Sequence, residues 1–376
     1  MFNFTNYFKS LFSICSSGNI EEHKPSLNHF LLRVFVFIVS TWLIIINHIF
    51  LLLDEILLFV YRFTPIKDPL MIIGVPRTGT TLLFRTMAED KENFTCFTLG
   101  EILFAPSLIQ KYLFYFTYRF DKLLGAPLKK SLLAIGAKAL KSYDAIHNYS
   151  ILKPEEDELI LLHIYSTAVL KYLFAGTNAF DNYLEFDKKV SPLEKRNIFN
   201  FQRRCIKKHL FFWKTIRGKE KVFLSKNPIY SPKINSLFDF YPGLRLIVTN
   251  RNLEEVIPSF VSMNSAILKK FYSTQLMYPN AGMARSMIVS WQEQITNKVR
   301  SQNAGHVYEC RYEQLTTNIK EHLISIYAYY GISMSETFSD LLTKKSSEQQ
   351  LYKSRHTYNR EELKRVLGSS DSPRSG

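Results

Sequence analysis

Apolar side chains run almost unbroken from Val34 to Leu53, "VFVFIVSTWLIIINHIFLLL". A run of about 20 residues without a formal charge has the length needed to cross a bilayer as a helix. The pattern predicts a transmembrane or deeply embedded N-terminal anchor, with Asn47 and His48 as polar exceptions inside it. The alternative is a buried helical hairpin packed on the rest of the chain. Aromatics at Phe2, Phe4, Tyr7, Phe8 and Phe12 precede the run and suit either an interfacial helix or a loosely ordered leader. No short basic region and no small-residue cleavage site stand there, so a removable signal peptide fits poorly. Charges flank both sides, Arg33 before and Asp54, Glu55 and Arg62 after, which leaves the orientation open.

Beyond the run the pattern alternates. "KDPLMIIGV" is a short buried strand opened by Pro69 and ended by Gly74. "TTLLFRTMAED" has helical spacing, with Leu82, Leu83, Thr86 and Met87 on one face. Residues 107–146 read as helices rich in basic and aromatic side chains. "KPEEDELILLHIY" reads as a helix start, with Pro154 in the first turn and Glu155, Glu156 and Asp157 complementing the dipole. "KVFLSKNP" and "LRLIVTNRN" are further strands, the second followed by the helix "LEEVIPSFVSM". "HVYECRYEQL" is a late strand, and "IKEHLISIYAYYG" a helix closed by Gly331. Strands alternating with helices predict an α/β fold, a parallel sheet flanked by helices. The expected division is a leader and anchor over 1–66, a catalytic domain over 67–368, and a disordered tail over 369–376.

The totals add three points. Hydrophobic residues make up 46% of 376, enough for a sizeable core. The formal charge of +15 points to anionic partners. Cys15, Cys96, Cys205 and Cys310 are scattered with no CxxC pair, which suggests neither a zinc site nor a disulfide framework. Asn93-Phe94-Thr95 fits the glycosylation pattern, a match that arises by chance in a chain of this length.

Gly74-Val75-Pro76-Arg77-Thr78-Gly79-Thr80-Thr81 sits between a strand and a helix, as a phosphate-binding loop does. A turn at a helix N-terminus offers unpaired backbone N–H groups to an anion. Gly79 permits close approach, Thr78, Thr80 and Thr81 offer hydroxyls, and Arg77 offers a planar charged fork. Thr80 stands where a nucleotide P-loop carries lysine, so a shorter phosphate chain without an obligatory metal is expected. "LIVTNRNLEEVIPS" sets Arg251 at a strand end and Ser259 in the next helix. In an open parallel sheet both groups would converge on one edge. A nucleotide with 5′ and 3′ phosphates needs two such anchors.

Together these motifs resemble the sulfotransferases that use 3′-phosphoadenosine 5′-phosphosulfate, PAPS. "PRTGTT" is similar to their 5′-phosphosulfate loop, often PKSGTT or PRSGTT, and "RNLEEVIPS" to their 3′-phosphate motif. "FTLGEILFAPS", "KPEEDE", "LSKNP" and "SRHTY" follow in the order of a broad branch of that family, so the resemblance covers roughly residues 54–366. It implies a P-loop-like fold and sulfuryl transfer from PAPS to a hydroxyl of a lipid, sterol-like or glycan acceptor. It also implies a 5′-phosphate site of Pro76, Arg77, Thr78, Gly79, Thr80 and Thr81, and a 3′-phosphate site of Arg251 and Ser259. Arg77, at the family's loop-lysine position, takes the leaving-group charge. Glu101 is the first choice for general base and His147 the second, since the family uses either residue type. Lys226, ending the "FLSK" strand, faces the sulfuryl group or the phosphate. His356 and Tyr358 approach the nucleotide by the same resemblance. No metal and no nucleic acid are implied. A membrane partner is expected, with the compartment open. Leu253 replaces the family's usual proline, and Gly100 replaces a tryptophan expected to shape the acceptor pocket. Two other readings stay open: a phosphotransferase of P-loop type, and a non-catalytic membrane protein that keeps the fold and binds nucleotide.

Overall fold

The computed structural model describes residues 2–15, 20–22, 24, 26–131, 134, 151–301 and 306–349. His147, His356, Tyr358 and the tail lie outside the described residues. Five parallel strands form one sheet: β1 (Leu70–Ile73), β2 (Phe94–Thr95), β3 (Val222–Lys226), β4 (Arg245–Asn250) and β5 (Val307–Arg311), in the spatial order β2-β3-β1-β4-β5. Strand β1 is central. All four of its side chains are inaccessible to solvent, and they alternate between two cores. Leu70 and Ile72 join the cluster of Leu83, Ile247 and Leu323 on one face; Met71 and Ile73 join that of Ile102, Leu161 and Val248 on the other. Burial on both faces explains why the strand reads as a continuous apolar run.

Helices cover both faces. In chain order those used below are α1 (Phe4–Ser13), α2 (Leu27–Leu57), α3 (Thr80–Met87), α4 (Leu99–Phe104), α5 (Leu108–Leu123), α6 (Pro192–Arg217), α7 (Leu253–Phe271), α8 (Ala281–Ser301), α9 (Tyr312–Thr317) and α10 (Ile319–Tyr329). The expected strands and the loop helix stand where the pattern set them. Helix α6 was not anticipated: its sequence is strongly basic, yet Ile198, Phe201, Cys205 and Ile206 form a buried stripe at helical spacing.

Helix α2 runs past both ends of the apolar segment. Arg33 and Asp54 do not end it, because both are buried and partnered. Arg33 lies over the Tyr272 ring at 4.4 Å. Asp54 accepts from the backbone N–H groups of Leu108 (2.8 Å) and Ile109 (3.1 Å), which caps α5, and pairs with Lys208 at 3.1 Å. Between them, Asn47 donates to the Leu103 carbonyl at 2.8 Å and accepts from Gln110 at 2.7 Å. One face of α2 is therefore bound to the catalytic domain. The other exposes Phe35, Trp42, Ile49 and Leu52.

The segment "KPEEDE" departs from expectation. No α-helix begins at Pro154. Residues 151–155 run beside residues 97–100, with Gly100 N–H donating to Ile151 O (2.8 Å) and Glu155 N–H to Phe97 O (3.0 Å). A 3-10 helix then spans Asp157–Ile164. The acidic residues are tertiary ligands instead of dipole partners. Asp157 accepts from Ser225 (2.6 Å), Gln202 (3.0 Å) and Tyr230, and Glu158 pairs with Lys233 at 2.6 Å.

Candidate functional site

The site lies at the carboxyl edge of the sheet, where β1, β3, β4 and β5 end together. The β1–α3 loop is held there by tight contacts. A Cβ on Gly74 would fall 2.3 Å from the Thr249 hydroxyl and 2.6 Å from the Thr249 carbonyl, so only glycine passes. Thr78 is buried, and its hydroxyl bridges the Val75 carbonyl and the Thr249 hydroxyl, each at 2.7 Å. It fixes the loop to β4, and its side chain does not face a ligand. Arg77 and Gly79 both hold positive φ, +75° and +88°. For arginine this is an unfavourable conformation of the kind found at functional sites.

The two anion motifs meet. Arg77 Nε donates to Ser259 Oγ at 2.9 Å across 182 residues, and Arg251 Nη1 donates to the Arg77 carbonyl at 3.3 Å. Arg251 also lies over the Tyr312 ring at 4.0 Å and pairs with Glu255 at 2.5 Å. Tyr312 opens α9 directly after β5, and nothing in the strand-like pattern of "HVYECRYEQL" marks it as a site residue. Leu253 opens α7 at the position proline favours. The adjacent Asn252 side chain accepts from Glu254 N–H at 2.9 Å, so the turn is capped by other means.

Lys226 completes the cationic side. Its buried ammonium donates to Thr81 Oγ1 at 3.2 Å and to Glu156 Oε1 at 2.6 Å. Glu155 stands beside it. Its Oε1 accepts from Glu156 N–H at 3.2 Å, while its Oε2 lies 3.8 Å from Arg85 and accepts no hydrogen bond. Burial pushes the Glu155 carboxyl above the usual carboxylate range against the pull of Lys226, with the Glu156 charge adding to the rise. Glu155 and Glu156 both line the cavity over the loop.

Glu101 is elsewhere. Its carboxylate accepts from Thr98 N–H at 2.9 Å to close a capping box on α4, and it pairs with Lys111 at 2.8 Å and His209 at 3.4 Å. Burial raises its pKa, but Lys111 and His209 pull harder and hold it well below the usual carboxylate range. It lies outside the lining of the cavity. Gly100 lies outside that lining too. A Cβ there would fall 2.6 Å from Ile151 Cγ2, so the crossing of residues 97–100 and 151–155 demands glycine.

The cavity measures about 840 Å³. Its polar end is built from Arg77, Gly79, Thr80, Thr81, Arg85 and Arg251. The rest is mainly apolar, lined among others by Met263, Phe271, Met287 and Trp291 with Lys171, Asn264 and Asn280 as polar exceptions, and it reaches Ile20 and Val36 of the N-terminal region. Among the described residues no group of three His, Cys, Asp or Glu side chains is placed to hold a metal.

Comparison with known proteins agrees with this geometry. A sulfotransferase family model matches residues 69–336. Omega-hydroxy-beta-dihydromenaquinone-9 sulfotransferase Stf3 is 26% identical over 301 residues, 77% of this chain and 70% of its own, in both Mycobacterium bovis and Mycobacterium tuberculosis. Among solved structures, sulfotransferase STF9 from Mycobacterium avium superposes with a TM-score of 0.69 at 12% identity, over 96% of this chain and 88% of its own. Sulfotransferase STF1 from Mycobacterium tuberculosis gives 0.60 at 15%, over 97% and 92%. The loop, the sheet edge that completes it and the span of the match make this chain a member of the sulfotransferase family, and an enzyme of that class.

Proposed function

We propose that the chain transfers a sulfuryl group from PAPS to a hydroxyl at the end of an apolar, lipid-like acceptor, working at a membrane. The observation that carries this is the contact between Arg77 and Ser259. It puts the loop and the Arg251–Ser259 segment within one hydrogen bond of each other, at the polar end of a cavity whose remainder is mainly apolar. The relative named for a menaquinone-derived acceptor supports a lipid-like substrate. Helix α2, long and apolar enough to cross a membrane, supports the setting.

The residues fit the donor. The first turn of α3, with Gly79, Thr80 and Thr81, suits the 5′-phosphate. Arg251 and Ser259 suit the 3′-phosphate, and Pro76 shapes the loop between them. Bound PAPS supplies an SO₃ group whose bridging oxygen keeps the bonding electron pair as phosphate leaves. Arg77 and Lys226 place positive charge where that negative charge develops, and such preorganised donors lower barriers by roughly 2.7–4 kcal/mol each. Glu155 takes the role first given to Glu101. It lines the cavity, and its Oε2, buried and accepting no hydrogen bond, would take the proton from the acceptor hydroxyl. Glu156 holds Lys226 in place.

Calorimetric titration with PAP, the 3′,5′-bisphosphate product, tests the reading. The folded wild-type chain binds and Arg251→Ala binds far more weakly. Absence of binding by the folded wild type overturns the proposal. Transfer of labelled sulfate into a lipid extract then reads turnover.

A further inference from the structure

The N-terminal helices bury polar residues and expose apolar ones, the reverse of a water-facing helix. In α1, Asn6, Ser10 and Ser13 are buried, while Phe4, Phe8 and Phe12, spaced by one turn, are exposed. In α2, Arg33, Asn47 and Asp54 are buried together with Phe37, Ile44 and Leu51, and Phe35, Ile38, Trp42, Ile45, Ile49 and Leu52 are exposed. In α5, Gln110, Lys111 and Asp121 are buried, and Leu113, Phe116, Phe120 and Leu123 are exposed. The three helices adjoin. Tyr7 meets the Phe37 ring at 5.3 Å, and Asn47 and Asp54 of α2 bind Gln110 and the N-terminus of α5.

We propose that α1, α2 and α5 form a docking face that lies against a single leaflet of an anionic bilayer, and that α2 does not cross it. The proposal rests on the membrane reading above and adds the mode of attachment. Charge selects lipid as the occupant. Between residues 108 and 131 the one acidic residue, Asp121, is buried and accepts from Leu128 and Lys129 N–H groups, whereas Arg119, Lys122 and Lys130 are exposed. An apolar face edged with unopposed basic residues matches acyl chains beneath anionic headgroups.

The buried polar residues of α2 decide against crossing. From Arg33 to Asp54 they extend about 32 Å along the helix axis, the full thickness of a hydrocarbon core. All three are held by the catalytic domain, through Tyr272, Leu103, Gln110, Lys208 and the start of α5. A crossing helix would pull all three from those partners, carry Asn47 into the hydrocarbon, and leave Arg33 and Asp54 at its two edges without the groups that hold them. Lying flat keeps every one of these contacts. It also keeps Val36, which lines the cavity, on the helix that lies along the leaflet, a short route for an apolar acceptor from lipid to the site.

The test uses the full chain added to preformed sealed vesicles of phosphatidylcholine with phosphatidylglycerol. Wild type floats with the vesicles. The triple variant Trp42→Ser, Phe116→Ser, Phe120→Ser loses about tenfold or more of the bound fraction, with its circular-dichroism melting curve unchanged. Cysteines introduced by Glu22→Cys and Lys219→Cys, on either side of α2, both react with an impermeant maleimide on vesicle-bound protein. Protection of position 22 while 219 reacts overturns the flat mode and leaves the membrane reading standing. Wild type that fails to float overturns both. A wild-type dimer that the triple variant dissociates, without vesicle binding, assigns the face to a second copy and overturns the proposal.

Discussion

The proposed function gives three side chains separable tasks at the residue scale. In it Arg251 supplies affinity through charge-assisted hydrogen bonds, worth roughly 1.5–3 kcal/mol. Arg251→Ala should therefore raise the calorimetric Kd for PAP by about 10- to 100-fold. Arg77 is proposed to act on charge that appears during transfer. Arg77→Ala should lower kcat by about 10²–10³-fold, a larger effect than on KM for the donor, in steady-state kinetics. Glu155 must be ionised to accept a proton, and its carboxyl titrates above the usual range because it is buried. The rate kcat/KM should rise with pH through that raised value, being lost below it. Glu155→Gln should remove this acid limb and about 10²–10⁴-fold of the rate, with PAP binding kept. A Glu155→Gln enzyme with the wild-type pH profile would return the search for the base to the residues around it.

At the scale of elements, the capping box on α4 assigns Glu101 a structural task. Its partner Lys111 has a side chain only 1% exposed. Removing the negative charge leaves an ammonium buried without its counter-ion, which typically costs about 3–5 kcal/mol. Glu101→Gln should lose that much stability in urea unfolding, while the folded fraction turns over at the wild-type rate per molecule. The folded carboxyl is held below its unfolded value of about 4.3. Its stabilisation is therefore present above that pH and drains away as pH falls through the folded value. The variant should show a flatter loss of stability over that acidic window.

At the scale of the whole molecule, one cavity joins a cationic end to a mainly apolar end across elements from α2 to α9. An acceptor with a terminal hydroxyl and a long alkyl or isoprenoid chain should gain affinity with each buried methylene, by up to about 0.8 kcal/mol. KM should fall by up to about fourfold per added methylene until the cavity is full. Ala284 lines the apolar end and is buried. Ala284→Trp should raise KM for long-chain acceptors and leave PAP affinity unchanged. Equal KM values for short and long acceptors would show that the apolar end does not hold the acceptor.

The sequence by itself determined whatever local pattern encodes. A strand that is apolar at every position, a loop needing glycine at 74 and 79, and a helix behind it are all legible, because each follows from a few adjacent residues. Arg251 at a strand end and Ser259 in the next helix were legible in the same way. Tertiary structure decided what depends on crossings between distant segments. "KPEEDE" looks like a helix start until residues 97–100 bind its backbone and turn Glu155 into the cavity. Glu101 looks like a base until Lys111, ten residues on, and His209 from α6 enclose it. Tyr312 has no motif around it and joins the site only because β5 lies beside β4. The Val34–Leu53 run has the length of a bilayer crossing, but length cannot show that Asn47, Asp54 and Arg33 have partners. Hydrophobicity is additive along a chain and can be read from it. Hydrogen-bond satisfaction depends on what lies opposite, and only the fold supplies that.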